Sequence, residues 1–187
     1  MRTTKELVLQ AASEIADRDG LSGVSLKAVA AALQIRTPSL YNHIDSLDEL
    51  LREVAHTGMH TMNCQMTQAV IGVSGDAAIR AIAVAYLRFM VAHPGVYETI
   101  QWASWHTNDQ TKQILSEYNS LMEKLVQSCG LSISDVSPIV SVLTGFLHGY
   151  ATQQLGSALS NPEAAITDMS SALDIILLGI HQKYQQT

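Results

Sequence analysis

The sequence predicts an all-α protein, with an N-terminal three-helix bundle carrying a helix-turn-helix and a larger helical domain behind it. Three observations predict this. Apolar residues recur at helical spacing along the chain, and no strand-like alternation interrupts them. Glycine and proline punctuate those stretches, at Gly20, Pro38, Gly72, Gly75, Pro94, Gly95, Gly130 and Pro162. Residues 20–51, GLSGVSLKAVAAALQIRTPSLYNHIDSLDELL, read as two short helices about a tight turn and the start of another.

Residues 4–18 form the first helix, with Leu7, Ala11 and Ile15 on one face and Val8 and Ala12 beside them. Gly20 closes it as a left-handed cap. Ser25 caps the second helix, and Val24 and Val29 occupy the two positions of a hydrophobic staple. Leu26, Val29, Ala30 and Leu33 give that helix one apolar face. Gln34-Ile35-Arg36 is long enough only to redirect the chain. Thr37 caps the third helix, and Pro38 takes its first position, where a missing N–H costs nothing. Leu40 and Ile44 point inward at i and i+4. A fourth helix begins near Ser46 and runs toward Val70. Further helices cover about 76–92, 96–106, 109–129, 133–158 and 163–183.

The outward side of the third helix carries the chemistry. Its N-terminus offers unpaired N–H groups and a positive dipole end to an anion. Thr37, Ser39 and Tyr41 supply hydroxyls for phosphate oxygens. Asn42 donates and accepts at once, the pairing an adenine edge needs. Such a layout suits a helix lying in a DNA major groove. The candidate DNA contacts are Lys27, Arg36, Thr37, Pro38, Ser39, Tyr41, Asn42 and His43. From the residues alone, a helical hairpin with a polar face stays open, as part of a ligand-binding or interaction module without specific DNA binding.

The string TPSLYNHIDSLDELL resembles the signature of the TetR family of bacterial transcriptional repressors, roughly T-x-x-x-L-Y-x-H-F-x-x-K-E-x-L. It matches at Thr37, Leu40, Tyr41, His43, Glu49 and Leu50, with Ile44 in the aromatic or aliphatic slot. GLSGVSLKAVAAALQI is similar to the family's preceding G-x-x-x-x-T-x-x-x-I-A-x-x-A-G-V. The resemblance implies a sequence-specific regulator, a repressor released by a small hydrophobic ligand. Its head would span residues 1–56 and its effector-binding and dimerisation domain 57–187. Lys27 resembles a family position that reaches a base or phosphate. Two residues depart from the pattern. Gln34 replaces the usual turn glycine, so either the turn has no left-handed residue or Gln34 is strained. Leu47 replaces a lysine that contacts phosphate in the family, so that contact is not carried over.

Composition fits. Hydrophobic residues make up 47% and charged residues 15% of 187, which leaves room for a sizeable buried interface. No run approaches the roughly 18 uninterrupted apolar residues of a membrane span, and MRTTKELVLQ enters an amphipathic helix with no signal-peptide pattern. Cys64 and Cys129 fit no metal motif, so reduced thiols in a cytoplasm are expected. The net charge of −6 concentrates in the later part of the chain: residues 1–52 hold six Lys/Arg against seven Asp/Glu, and the remainder five against ten. The reading segment is therefore weakly charged, and affinity must lean on paired heads and hydroxyls.

The last two helices carry apolar stripes, one with Ile139, Val142, Leu143, Phe146, Leu147 and Tyr150, the other with Ile166, Met169, Leu173, Ile176, Leu177 and Ile180. They read as half of a four-helix bundle completed by a second copy. Ile139, Val142, Phe146, Leu173, Ile176 and Ile180 are the expected interface, and Gly145, Gly149 and Gly156 would permit close backbone approach. FLHGYATQQLGSA and ALDIILLGI also resemble a TetR subgroup with an H-G motif in its C-terminal domain. Candidate effector-lining residues are Tyr86, Phe89, Met90, Trp102, Trp105, His106, Phe146, His148 and Tyr150, an aromatic set with a few polar groups. His56 and His60 stand at i, i+4, but no third ligand completes a metal site, and no metal or other cofactor is expected. No phosphate-binding glycine loop, nucleophile elbow or HExxH suggests an enzyme. The expected partners are operator DNA, a second copy and a small-molecule effector, with no membrane.

Overall fold

The computed structural model describes residues 3–131 and 136–184, with the side chains of 154, 155 and 157–159 left aside. Eight α-helices follow in order: α1 (Lys5–Asp19), α2 (Leu26–Ala32), α3 (Leu47–Ala69), α4 (Gly75–Ala92), α5 (Pro94–Trp105), α6 (Asp109–Gln127), α7 (Ser137–Ser160) and α8 (Pro162–Tyr184). Short 3₁₀ helices cover Leu21–Gly23 and Thr37–Asn42. No strand occurs among the described residues. The expected start of the 133–158 helix lies outside them.

Two compact units form, one from residues 1–61 and 93–114, the other from 62–92 and 115–187. In the first, α1 buries Val8, Ala11, Ala12, Ile15 and Ala16, while Leu7 is only half-buried. Thr4 Oγ1 accepts from Leu7 N–H, and Gly20, at φ 75°, returns its N–H to Ala16 O. Its ψ of 172° puts Gly20 in extended positive-φ space rather than the left-handed well, a region essentially open to glycine alone. Ser25 caps α2 as expected, accepting from Ala28 N–H at 3.1 Å. Val24, Val29 and Ala30 are buried behind it.

α5 packs on α1 within this unit. Gly95 allows it: a Cβ there would sit 1.8 Å from Ala16 O and 2.0 Å from Ala16 C. The Asp17 carboxylate then caps α5, accepting from Val96 N–H at 2.9 Å and facing His93 Nδ1 at 3.1 Å. Glu98 reaches back to accept from Leu21 N–H at 2.9 Å. These contacts make α5 part of the head's own unit, so three chain crossings separate the units, where the expected division after 56 has one.

In the second unit α4, α7 and α8 pack on one another. α4 buries Ile79, Ile82, Tyr86, Leu87, Phe89 and Met90. Methionines 62, 66, 90, 122 and 169 are all buried here, a soft and adaptable core lining. Gly75, at φ 60°, donates to Ser128 Oγ at 2.8 Å, and His181 Nε2 lies 2.9 Å from both Asp76 oxygens, so α4's start is tied to the ends of α6 and α8. Burial pushes the nearby Cys129 thiol up to about 11, which keeps it protonated and unreactive at neutral pH.

Candidate nucleic-acid interface and effector site

The head presents its reading segment as Thr37–Asn42. This is a 3₁₀ helix, with Ser39 N–H bonded to Arg36 O and His43 N–H to Leu40 O, not the α-helix the spacing suggested. Its N-cap is Arg36, without a side-chain cap bond, so Thr37 is a first-turn residue rather than the cap. Six residues give almost no macrodipole, and the anion argument from this N-terminus loses most of its weight. Of the two possibilities for the turn, Gln34 takes the strained one, at φ 55°.

The outward-inward division follows the sequence reading. Leu40 and Ile44 are buried. Lys27, Arg36, Pro38, Ser39, Tyr41 and Asn42 are exposed, Tyr41 at 55%, while Thr37 and His43 are half-buried. All eight candidates lie in the same unit. Behind them, Ser46 Oγ accepts from Glu49 N–H at 3.0 Å and the Glu49 carboxylate takes Asp45 N–H, a capping arrangement at the start of α3. Lys5 holds Glu49 and Glu53 at 3.7 and 3.3 Å. Leu47 stands half-buried where the family's lysine would be.

His56 has a different role from metal binding. It is buried, and its Nε2 lies 2.8 Å from Thr111 Oγ1. Thr111 Oγ1 in turn lies 2.8 Å from Asn108 Oδ1, which can only accept. The threonine proton is thereby committed, so His56 Nε2–H must donate to Thr111. His56 Nδ1 is buried with no partner. Burial lowers the His56 pKa, and a protonated ring would carry a second N–H with nothing to receive it. His56 therefore favours the fold fully above the ordinary histidine value near 6.5, and stability declines as pH falls below it. We expect wild type to lose more stability between about pH 6.5 and 5 than His56→Gln, in urea melts. Parallel pH curves would contradict this.

The effector candidates divide between the units. Tyr86, Phe89 and Met90 are buried on α4. Phe146, His148 and Tyr150 are half-buried on α7, with the Phe146 and Tyr150 rings 5.7 Å apart and Tyr150 Oη donating to Ala165 O at 3.1 Å. Trp102, Trp105 and His106 belong to the other unit. Trp105 is 85% exposed. Trp102 stacks on His106 at 4.9 Å under the Arg52 guanidinium, whose Nη1 donates to His106 O. This cluster fastens α5's end to α3.

The expected dimer residues differ in exposure. Ile139 and Leu173 are buried inside the single chain. Phe146, Ile176 and Ile180 are half-buried, and Val142 is 52% exposed. Ile175 and Leu178, not anticipated, are 74% and 70% exposed. Both stripes are apolar on more than one side, so spacing alone did not say which side served the chain's own core. A Cβ at Gly145, Gly149, Gly156 or Gly179 would meet nothing within 4 Å, so these glycines admit no close approach within the chain. The Asp17 cap, the Glu98 link and Thr111 carried no local sequence signal, because their partners lie tens of residues away.

Comparison with known proteins agrees with this architecture. Residues 79–174 match the tetracyclin repressor-like C-terminal domain model. The HTH-type transcriptional regulator YobS of Bacillus subtilis is 32% identical over 180 residues, covering 95% of this chain and 92% of that protein. A structure of a protein from Rhodococcus sp. RHA1 superposes with TM-score 0.81 at 22% identity, covering 96% of each chain. The transcriptional regulator FadR of Bacillus subtilis, solved with stearoyl-CoA, gives 0.76 at 13% identity over 94% of this chain and 99% of its own. The chain belongs to the TetR family. It is a DNA-binding transcriptional regulator with a helix-turn-helix head, and such regulators are generally not enzymes.

Proposed function

We propose that this regulator acts as a homodimer, reading two operator half-sites with Thr37–Asn42 and its flanks, and that a small apolar effector held by residues of 57–187 lowers operator affinity. The observation that carries the DNA part is the sorting of one short segment: Leu40 and Ile44 buried, Ser39, Tyr41 and Asn42 exposed. Buried neighbours fix the segment's rotation, so the exposed side chains are presented rather than left loose. Two heads related by two-fold symmetry suit half-sites about one helical turn apart. The effector part is supported by the buried aromatic and methionine side chains of the second unit, a packing that adapts readily, and by the ligand in the FadR complex. Such a ligand must bind two states with different affinity, or it shifts nothing.

Reading and holding separate by chemistry. Asn42 has the bidentate amide, whereas Tyr41 and Thr37 have single hydroxyls suited to phosphate. We expect Asn42→Ala to relax specificity at one base position per half-site, costing about 1–3 kcal/mol there. Tyr41→Phe and Thr37→Ala should weaken all sequences about equally. Binding across single-base variants of the chain's own upstream promoter measures both. If Asn42→Ala lowers affinity uniformly while Tyr41→Phe changes the preferred base, the roles are reversed. Absence of any promoter binding would favour an interaction module instead.

A further inference from the structure

A groove of about 730 Å³ runs between the end of α3 and α4, wholly within the second unit and open to solvent. Its floor is four alanines and Val84, and its polar groups are Gln65, Gln68, Arg80 and Arg88. Among the described residues no carboxylate belongs to its walls, though Asp174 reaches Arg80 from α8. That is unusual for where it lies. The second unit holds four Lys/Arg (Arg80, Arg88, Lys124, Lys183) against seven Asp/Glu, and the groove collects both of its arginines.

One guanidinium is unpaired among the described residues, and the other is held by an exposed ion pair. Arg88 is exposed and makes no hydrogen bond or ion pair among the described residues. Glu163 stands in the wall of a smaller cavity of about 120 Å³ that shares Arg88, and makes no ion pair with it among the described residues. Arg80 pairs with Asp174 of α8, but both side chains are exposed, at 41% and 58%. An exposed pair of this kind contributes little, so an incoming anion displaces Asp174 readily. Arginine presents a planar fork that carboxylate and phosphate oxygens match bidentately. Small side chains between the arginines leave a shallow apolar bed, and Gln65 and Gln68 add amide donors along its edge. The volume lies within the range of small-molecule sites.

We propose that this groove binds an amphiphilic anion, a carboxylate or phosphate head on a slender apolar body, with the head on Arg88 and Arg80 and the body on the alanine floor. Uncharged apolar ligands suit it poorly, because the guanidiniums would lose solvent without gaining a partner. Asp174 sits beside Ile175 on α8, so a head that takes Arg80 frees a carboxylate next to that helix's exposed apolar side. The regulatory meaning of the site rests on the effector reading above, but the binding itself does not.

The test uses the full chain and sodium decanoate, decyl phosphate and decan-1-ol as probes, by calorimetric titration. Decanoate or decyl phosphate should bind at least tenfold more tightly than decanol, and which of the two is tighter identifies the head. Arg88→Gln should weaken the anion at least tenfold and leave decanol unchanged. Ala81→Trp, which fills the floor, should abolish binding of all three. Should that variant fail to fold, as seen by circular dichroism, the Arg88→Gln and decanol comparisons decide alone. Equal affinity for decanol, no binding of either anion, or an Arg88→Gln variant that binds like wild type would overturn the site. Operator affinity is measured with and without bound decanoate. An anion that binds through Arg88 but leaves operator affinity unchanged supports the site and refutes effector control.

Discussion

Gly95→Ala should destabilise the head's unit by about 3–5 kcal/mol, a loss large enough to remove operator binding at moderate temperature. The added Cβ would lie 1.8 Å from Ala16 O and 2.6 Å from Asp17 N. Those are backbone atoms of α1 and cannot rotate aside. Restoring contact distance requires α1 and α5 to part by roughly 1.7 Å, since non-bonded heavy atoms settle at about 3.5 Å. The separation would break the Asp17–Val96 and Glu98–Leu21 hydrogen bonds, each to a carboxylate and each linking residues more than 70 apart in sequence. Overpacking alone costs about 1–3 kcal/mol, and charged hydrogen bonds about 1.5–3 each, not additively. Urea denaturation followed by circular dichroism reads the change. A Gly95→Ala midpoint within experimental error of wild type would show that α5 shifts freely on α1.

What the sequence disclosed and what it withheld divide along the range of the interactions. Ser25 as a cap, the staple of Val24 and Val29, the inward Leu40 and Ile44 and the helix breaks near Pro94 and Pro162 all depend on residues within about one turn of each other, so local chemistry announces them. The conformation of Thr37–Asn42 was misjudged because a segment of six residues carries too little periodicity to separate 3₁₀ from α. Gln34 was legible as a conflict but not as its resolution, since nothing beside it states whether the turn or the residue yields. Asp17 reads as an ordinary polar residue late in a helix until α5 arrives beside it. His56 shows in sequence only its i, i+4 spacing from His60, and its bond to Thr111 appears when residue 111 arrives beside it. The dimer stripes show a further limit. An apolar residue at helical spacing announces burial but not its partner, so Leu173, in the chain's own core, and Leu178, outside it, look alike in sequence.

Leu178→Asp should convert the regulator from dimer to monomer at micromolar concentration without unfolding it. The exposed apolar side of α8 is the reason. Its most apolar 18-residue window has a mean hydropathy of 1.3, and 22% of that window is buried within the chain. By length and composition α8 could cross a membrane, but Asp168 and Asp174 interrupt it, and the proposed second copy, laid against Ile175, Leu178 and Val142, would cover the same surface in water. The open space above Gly145, Gly149 and Gly179 would let that copy's backbone approach. Because Leu178 is 70% exposed in one chain, the substitution should change the monomer's stability by no more than about 0.5 kcal/mol. At an interface the same carboxylate would be buried unpaired, at a cost of roughly 3–5 kcal/mol per copy. Two-fold symmetry places it there twice, so the dimer dissociation constant should rise by at least about a thousandfold. Operator affinity should fall with it, because a lone head grips one half-site and loses the effective concentration that tethers the second. Sedimentation velocity reads the oligomer, and titration of a full operator against a single half-site reads the lost tethering. A Leu178→Asp chain that sediments as a dimer with wild-type affinity would place the interface elsewhere. A wild-type chain monomeric at the same concentration would remove the dimer altogether.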